Sequence, residues 1–197
     1  MKPKPKHFRA KQNTKKYKPR YEKIALVGFR GSGKSTLASR LTNHWNIVHY
    51  SLDRIIELDQ SANISEIVAK KGWNYFRSLE AEKLLQYAEL HENLLLDTGG
   101  GIVEGLNQKK SEEKIDILKN RYFSIYLYIN SDTALERLGR AAKTSHRPDI
   151  ARSDQELRQV FESRKAWFKE AAKAIVDVSD VGIDEATQRV LKIIGRT

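Results

Sequence analysis

The stretch Gly28-Phe29-Arg30-Gly31-Ser32-Gly33-Lys34-Ser35 fits the pattern Gly-x-x-x-x-Gly-Lys-[Ser/Thr] in full. A turn of this composition points successive backbone N–H groups inward and cradles phosphate oxygens. Gly31 and Gly33 suit positions of positive φ or of close ligand approach. Lys34 can reach the outer phosphates of a nucleotide, and the Ser35 hydroxyl can sit on magnesium. The candidate nucleotide contacts are therefore Gly31, Ser32, Gly33, Lys34, Ser35 and Thr36. Phosphate binding alone does not name a reaction. A second substrate needs polar residues of its own, and the chain offers Asp53, the turn Thr98-Gly99-Gly100-Gly101, Arg77 with Glu80 at i+3, Arg147-Pro148 and Arg164. The carboxylate suits proton or hydroxyl handling, the glycines allow close approach to backbone N–H groups, and the guanidinium forks suit a carboxylate or phosphate. Each also has a plainer reading: a helix N-cap for Asp53, a surface i,i+3 pair for Arg77 and Glu80, a solvated helix residue for Arg164.

Apolar runs alternate with helical patterns along the chain, and this order places the candidate residues. Ile24–Val27 is expected as the first strand, with a helix from Ser35 after it. Ile47–Tyr50 reads as a second strand and Asp53–Lys71 as a helical region. Trp73–His91 reads as a long helix, Leu94–Leu96 as a buried strand running into Thr98–Gly101. Glu112–Asn120 is expected helical and Phe123–Ile129 a strand. Asp132 is the expected cap of a helix through Leu138. Ala141–Arg152, polar and basic, reads as a mobile loop. Ser153 to Glu156 is a capping-box pattern opening a helix to about Ala172. Ala174–Val178 and Asp184–Ile194 close the chain as strand and helix. Such alternation implies a three-layer α/β/α domain with a five-stranded parallel sheet. Ligands then bind at the carboxyl ends of the strands, where the candidate residues fall.

The 197 residues, 40% hydrophobic, suit one globular domain, and the absence of cysteine excludes disulfides and thiolate metal sites. No apolar run approaches the roughly 20 residues that span a bilayer, and no apolar core follows the charged N-terminus. A soluble, cytoplasmic protein with no membrane partner is expected, and a monomer. The net charge of +11 is uneven: residues 1–20 hold seven lysines, two arginines and no acid, which leaves about +2 for the rest. Residues 1–20 therefore read as a disordered basic tail ahead of a domain over 21–197. The tail suits nucleic acid, with Phe8, Tyr17 and Tyr21 available to stack on bases, or is a solvated extension without a partner.

From about Lys23 onward the chain resembles the shikimate kinases, of the nucleoside-monophosphate-kinase-like P-loop group. The resemblance rests on the P-loop, Asp53, Gly72-Trp73-x-x-Phe76-Arg77-x-x-Glu80, Thr98–Gly101, Arg147-Pro148, and Arg164 followed by Phe168-x-Glu170. It implies transfer of the γ-phosphoryl group of ATP to the 3-hydroxyl of shikimate, with magnesium as cofactor. It implies that Arg77 and Arg164 clamp the shikimate carboxylate, that Asp53 orients or deprotonates the attacking hydroxyl, and that Gly99, Gly100 and Gly101 close around the ring. Lys34 and Arg147 would stabilise the transferring phosphoryl, Arg147 from a lid at about 141–152, and Arg140 would pack near the adenine. Two other readings remain open at this point: a P-loop kinase for another polyol acid such as gluconate, and a ligand-binding regulator without turnover.

The sequence departs from the family pattern at three places. Where the family has Asp-x-Asp after the second strand, this chain has Ser51-Leu52-Asp53. A hydroxyl is a poorer partner for hydrated magnesium than a carboxylate. Asp97 is the candidate that restores the charge, beside Ser35 as metal ligand; the alternative is a strand-end carboxylate pointing elsewhere. Ala166-Trp167-Phe168 replaces the family's Pro-Leu-Tyr after Arg164, and Asp149 stands where a leucine is common.

Overall fold

The computed structural model describes residues 19–105, 107–141 and 153–195. Among them the chain forms β1 (Lys23–Val27), α1 (Lys34–His44), β2 (Val48–Ser51), α2 (Leu52–Gln60), α3 (Ile64–Ala88), β3 (Leu94–Asp97), α4 (Gln108–Arg121), β4 (Phe123–Tyr128), α5 (Ser131–Ala141), α6 (Asp154–Ala171), β5 (Ala174–Asp177) and α7 (Ile183–Ile194). The strands make one parallel sheet in the order β2-β3-β1-β4-β5. This is the expected α/β/α architecture.

The apolar runs explain the order. Ile24 to Val27 and Leu94 to Leu96 have no exposed surface, as strands covered on both faces require. α1 packs on β1, β2 and β3 and against α7, while α4 and α6 pack on β4 and on each other, so both faces of the sheet are clothed. Every crossover returns the chain in the same direction, so the carboxyl ends of all five strands share one edge.

Local chemistry corrects several expectations. The region Asp53–Lys71 is not one helix. Ser61 takes a left-handed conformation (φ 50°) that ends α2, and Asn63 opens α3 with a reciprocal capping box to Glu66. Gly72 (φ 79°, ψ 166°) then interrupts α3, so Trp73 onward runs in a new direction. The cap of α5 is Asn130, whose side chain accepts from Thr133 N at 2.8 Å; Asp132 sits in the first turn instead. Ser153 caps α6 by accepting from Glu156 N at 3.2 Å.

The expected tail boundary also shifts. Pro19 is buried, Arg20 N donates to Ile194 O at 3.1 Å, and Tyr21 stacks on Phe123 with ring centroids 3.7 Å apart. Tyr21 is thus committed to the fold rather than to bases. Residues 1–18, with Phe8 and Tyr17, and residues 142–152, which hold most of the expected lid with Arg147 and Asp149, lie outside the described residues.

Candidate active site

The P-loop joins β1 to α1. Gly31 and Gly33 both have φ 87°, a left-handed conformation that a side chain strains, and Gly33 is the N-cap of α1. The loop lines a cavity of about 500 Å³ with Asp97, Thr98, Gly100, Arg137 and the segment after β5. Helix α1 points its unpaired N–H groups and positive dipole end at this space. Lys34 is buried and folded back on the loop: Nζ donates to Gly28 O at 2.8 Å, to Phe29 O at 3.0 Å and to Ser32 Oγ at 3.4 Å. An incoming phosphate has to compete with these loop acceptors. Arg137, which sequence reasoning missed, ties the loop down. It donates to Gly31 O at 3.3 Å and to Val178 O at 3.0 Å. Arg140 lies one helical turn further along α5.

Asp53 lies in the first turn of α2, buried, with Ser51 rather than Asp53 as the helix cap. The triple-glycine turn is pinned to β1 by Thr98, whose Oγ1 donates to Leu26 O at 2.8 Å. The turn is glycine because three groups crowd it. A Cβ on Gly99 would lie 2.8 Å from Asp53 Oδ1, one on Gly100 2.8 Å from Arg30 N, and one on Gly101 2.3 Å from Arg77 Nη2. Asp53, the P-loop backbone and Arg77 therefore meet at three consecutive residues. Arg30, Asp53, Arg77, Glu80, Gly99–Gly101 and Arg164 enclose a second space of only about 40 Å³. Arg30 and Gly100 border both spaces, so the phosphate cavity and the small pocket adjoin.

Arg77 and Glu80 are far more than a surface pair. Arg77 Nη1 donates to Glu80 Oε2 at 2.8 Å, and Glu80 has no exposed surface. The same oxygen accepts from Lys114 Nζ at 3.1 Å. Burial raises the Glu80 pKa, but the opposing pull of Lys114 and Arg77 leaves it below the ordinary carboxylate value. Burial lowers Lys114, against the attraction of Glu80. Glu80 Oε1 has no hydrogen-bond partner among the protein atoms. Trp73 lies 5.0 Å from the Arg77 guanidinium, a cation–π contact that helps to fix it.

Arg164, on α6, reaches the same place. Its Nη1 donates to Gly100 O at 3.2 Å, and its guanidinium lies over Phe29 at 5.5 Å. Burial holds it below its ordinary pKa, against the pull of Glu104; an arginine nonetheless stays charged. The two arginines converge on one residue that sequence reasoning did not name. Glu104 Oε1 accepts from Arg164 Nε at 2.6 Å, and Glu104 Oε2 accepts from both Arg164 Nη2 at 2.6 Å and Arg77 Nη2 at 2.8 Å. Glu104 follows the triple-glycine turn by three residues; no motif marks it as different from any other loop glutamate.

At the other side of the P-loop, Ser51 and Asp97 are register partners on the adjacent strands β2 and β3. Asp97 is 4% exposed, lines the phosphate cavity, and its Oδ1 has no protein hydrogen-bond partner. Among the described residues no cluster of three or more His, Cys, Asp or Glu could hold a metal ion by itself.

The structure therefore brings together Asp53, Arg77, Arg164, Gly99, Gly100 and Gly101, and beside them the P-loop residues and Asp97. Among the described residues no helix is long and apolar enough to cross a membrane. Residues 30–195 match the family model described as shikimate kinase. A shikimate kinase of Dictyoglomus turgidum is 31% identical over 86% of this chain and 95% of its own length. Another, of Aquifex aeolicus, is 35% identical over 76% of this chain and 83% of its own. Among solved structures, shikimate kinase from Acinetobacter baumannii in complex with shikimate superposes with a TM-score of 0.75 at 26% identity, covering 86% of this chain and 90% of that one. The crystal structure of shikimate kinase from Aquifex aeolicus gives a TM-score of 0.70 at 30% identity, covering 86% and 94%. A family model over most of the chain, together with relatives above 30% identity matched over most of their own length, establishes that the chain belongs to the shikimate kinase family.

Proposed function

We propose that the protein transfers the γ-phosphoryl group of ATP to the 3-hydroxyl of shikimate, a reaction of aromatic amino acid biosynthesis in the cytoplasm. The observation that supports it best is the meeting of Asp53 with the Arg77 and Arg164 pair at a triple-glycine turn packed on the P-loop. One carboxylate positioned for a hydroxyl and two guanidinium groups positioned for a carboxylate fit a small hydroxy acid.

In this reading the P-loop N–H groups and the α1 terminus hold the phosphates of ATP, with Lys34 released from its loop acceptors onto the outer phosphates. Arg77 and Arg164 bind the carboxylate of shikimate and so fix the ring. Gly99 to Gly101 let the ring approach the backbone. Asp53 accepts the proton of the attacking hydroxyl. The new oxygen–phosphorus bond forms as the bond from the γ-phosphorus to the bridging oxygen breaks, and ADP leaves. Lys34, and Arg147 from the lid, stabilise the charge on the moving group. Arg140 packs near the adenine.

Ser35 and Asp97 fit a magnesium ion, which keeps several waters and takes only one or two carboxylates besides phosphate oxygens. Asp97 supports this choice, since it lines the phosphate cavity and its buried Oδ1 has no protein hydrogen-bond partner. Magnesium, when bound, neutralises the charge on the outer phosphates.

A space of about 40 Å³ is far below the ~300 Å³ at the low end for ligand sites. Shikimate binding therefore requires this space to widen. The test is coupled ADP release from ATP with shikimate, gluconate or nucleoside monophosphates as acceptors. Magnesium-dependent turnover with shikimate alone supports the assignment; turnover with gluconate alone, or shikimate binding without ADP release, refutes it.

A further inference from the structure

The residue on which the two arginines of the small pocket converge is a carboxylate. Each guanidinium of the arginine pair has one edge held from within, Arg77 by Glu80 and Arg164 by the Gly100 carbonyl. The Nη2 groups, through which the two arginines can grip one carboxylate together, both go to a single oxygen of Glu104. Glu104 also takes Arg164 Nε, completing a bidentate pair. Its side chain thus does to the pair what a bound carboxylate would do.

The two glutamates of the cluster are not equivalent. Glu80 has no exposed surface and is held by two cations on separate helices. Glu104 has a side chain 28% exposed, lies in the segment between β3 and α4, and lines an adjoining space of about 540 Å³ with Asn74, Asn107 and Trp167, a space that Trp73, Arg77 and Arg164 border as they do the small pocket. It has somewhere to go. The charges also favour exchange over addition. Arg77, Arg164 and Lys114 carry three positive charges against two negative charges on Glu80 and Glu104. Exchanging one carboxylate for another keeps the cluster at the same net charge and leaves the released Glu104 facing water.

We propose that Glu104 is a competing latch on the carboxylate site. It occupies the arginine pair in the ligand-free protein, and a carboxylate ligand binds by displacing it. The latch therefore weakens binding of every carboxylate ligand alike, so an acid has to add contacts elsewhere, such as hydroxyls at Asp53, to bind well. The proposal rests on the reading of Arg77 and Arg164 as the carboxylate site.

The experiment compares the full-length wild type with Glu104→Gln and Glu104→Ala. Dissociation constants for shikimate and for a plain ring acid, cyclohexanecarboxylate, are read from tryptophan fluorescence, with Trp73 on Arg77 and Trp167 in the neighbouring space as reporters. KM and kcat with shikimate are measured alongside, and thermal melting with and without ligand establishes folding. Removing the competing charge is expected to tighten both acids roughly tenfold, about the worth of one charge-assisted hydrogen bond. The gain falls on Kd and KM rather than on kcat, and ligand raises the melting temperature more in the variants than in wild type. Unchanged or weaker binding of both acids in a folded variant overturns the latch and makes Glu104 a support for the arginines. If shikimate is not phosphorylated by any form yet the variants bind cyclohexanecarboxylate more tightly, the substrate reading fails and the latch stands.

Discussion

Arg77 on α3 and Arg164 on α6 donate to the same oxygen of Glu104, at 2.8 and 2.6 Å. This shared acceptor establishes that the two guanidinium groups face one another within the width of one carboxylate. They are also stabilised there by independent means, Arg77 by Glu80 and Trp73, Arg164 by Gly100 and Phe29.

Arg77→Ala should lower kcat/KM for shikimate by on the order of 10²–10³, since truncating one partner of a buried charge pair costs about 2–5 kcal/mol. Arg77→Lys should fail almost as badly, because an ammonium cannot present two parallel N–H groups. The ATP dependence should change much less. Steady-state kinetics in both substrates measure this; equal losses for ATP and shikimate would place Arg77 outside the acceptor site.

Gly101→Ala should act on the same function without removing a charge. The added Cβ would lie 2.3 Å from Arg77 Nη2, so the guanidinium has to move. The expected result is a KM for shikimate raised at least tenfold, with nucleotide binding retained. A variant with wild-type shikimate kinetics would show that Arg77 has a second position equally good for binding.

Asp97→Ala should raise the magnesium concentration needed for half-maximal rate several-fold, and Ser51→Asp in that background should restore it. Asp97 lines the phosphate cavity and Ser51 is its register partner on the adjacent strand, which is the ground for expecting the rescue. Magnesium titrations of the rate, with manganese binding followed by paramagnetic relaxation, test the pair. Unaltered metal dependence in Asp97→Ala removes Asp97 from the metal site.

Glu80 links pH to stability. Its folded pKa lies below the ordinary 4.5, so the unfolded chain binds the proton more readily. The stability it contributes is present above about pH 4.5 and is lost as pH falls through the folded pKa. Glu80→Gln should destabilise the protein by about 3–5 kcal/mol at neutral pH, because Lys114 and Arg77 lose their buried counter-charge. Below pH 4.5 its stability should fall less steeply than that of wild type. Urea unfolding between pH 3.5 and 7 checks this, and parallel pH profiles would show that Glu80 carries no linkage.

Much of the molecule was legible in the residues themselves. The P-loop is contiguous, the central strands are unbroken apolar runs, and Arg77 with Glu80 is a spacing within one helix. Patterns of this kind are local, and burial on both faces of a parallel sheet writes them directly into the chain. The split of α2 from α3 and the Asn130 cap were missed because one left-handed serine or one capping side chain decides them, against a background of good helix formers. Glu104, Lys114, Arg137 and the neighbouring positions of Ser51 and Asp97 were beyond local pattern altogether. An ion pair between residues far apart in sequence has no periodicity, and a loop glutamate looks the same whether it faces water or two arginines. Only the strand order, which brings the ends of β1, β2 and β3 together and lays α6 across the triple-glycine turn, decides which charges meet.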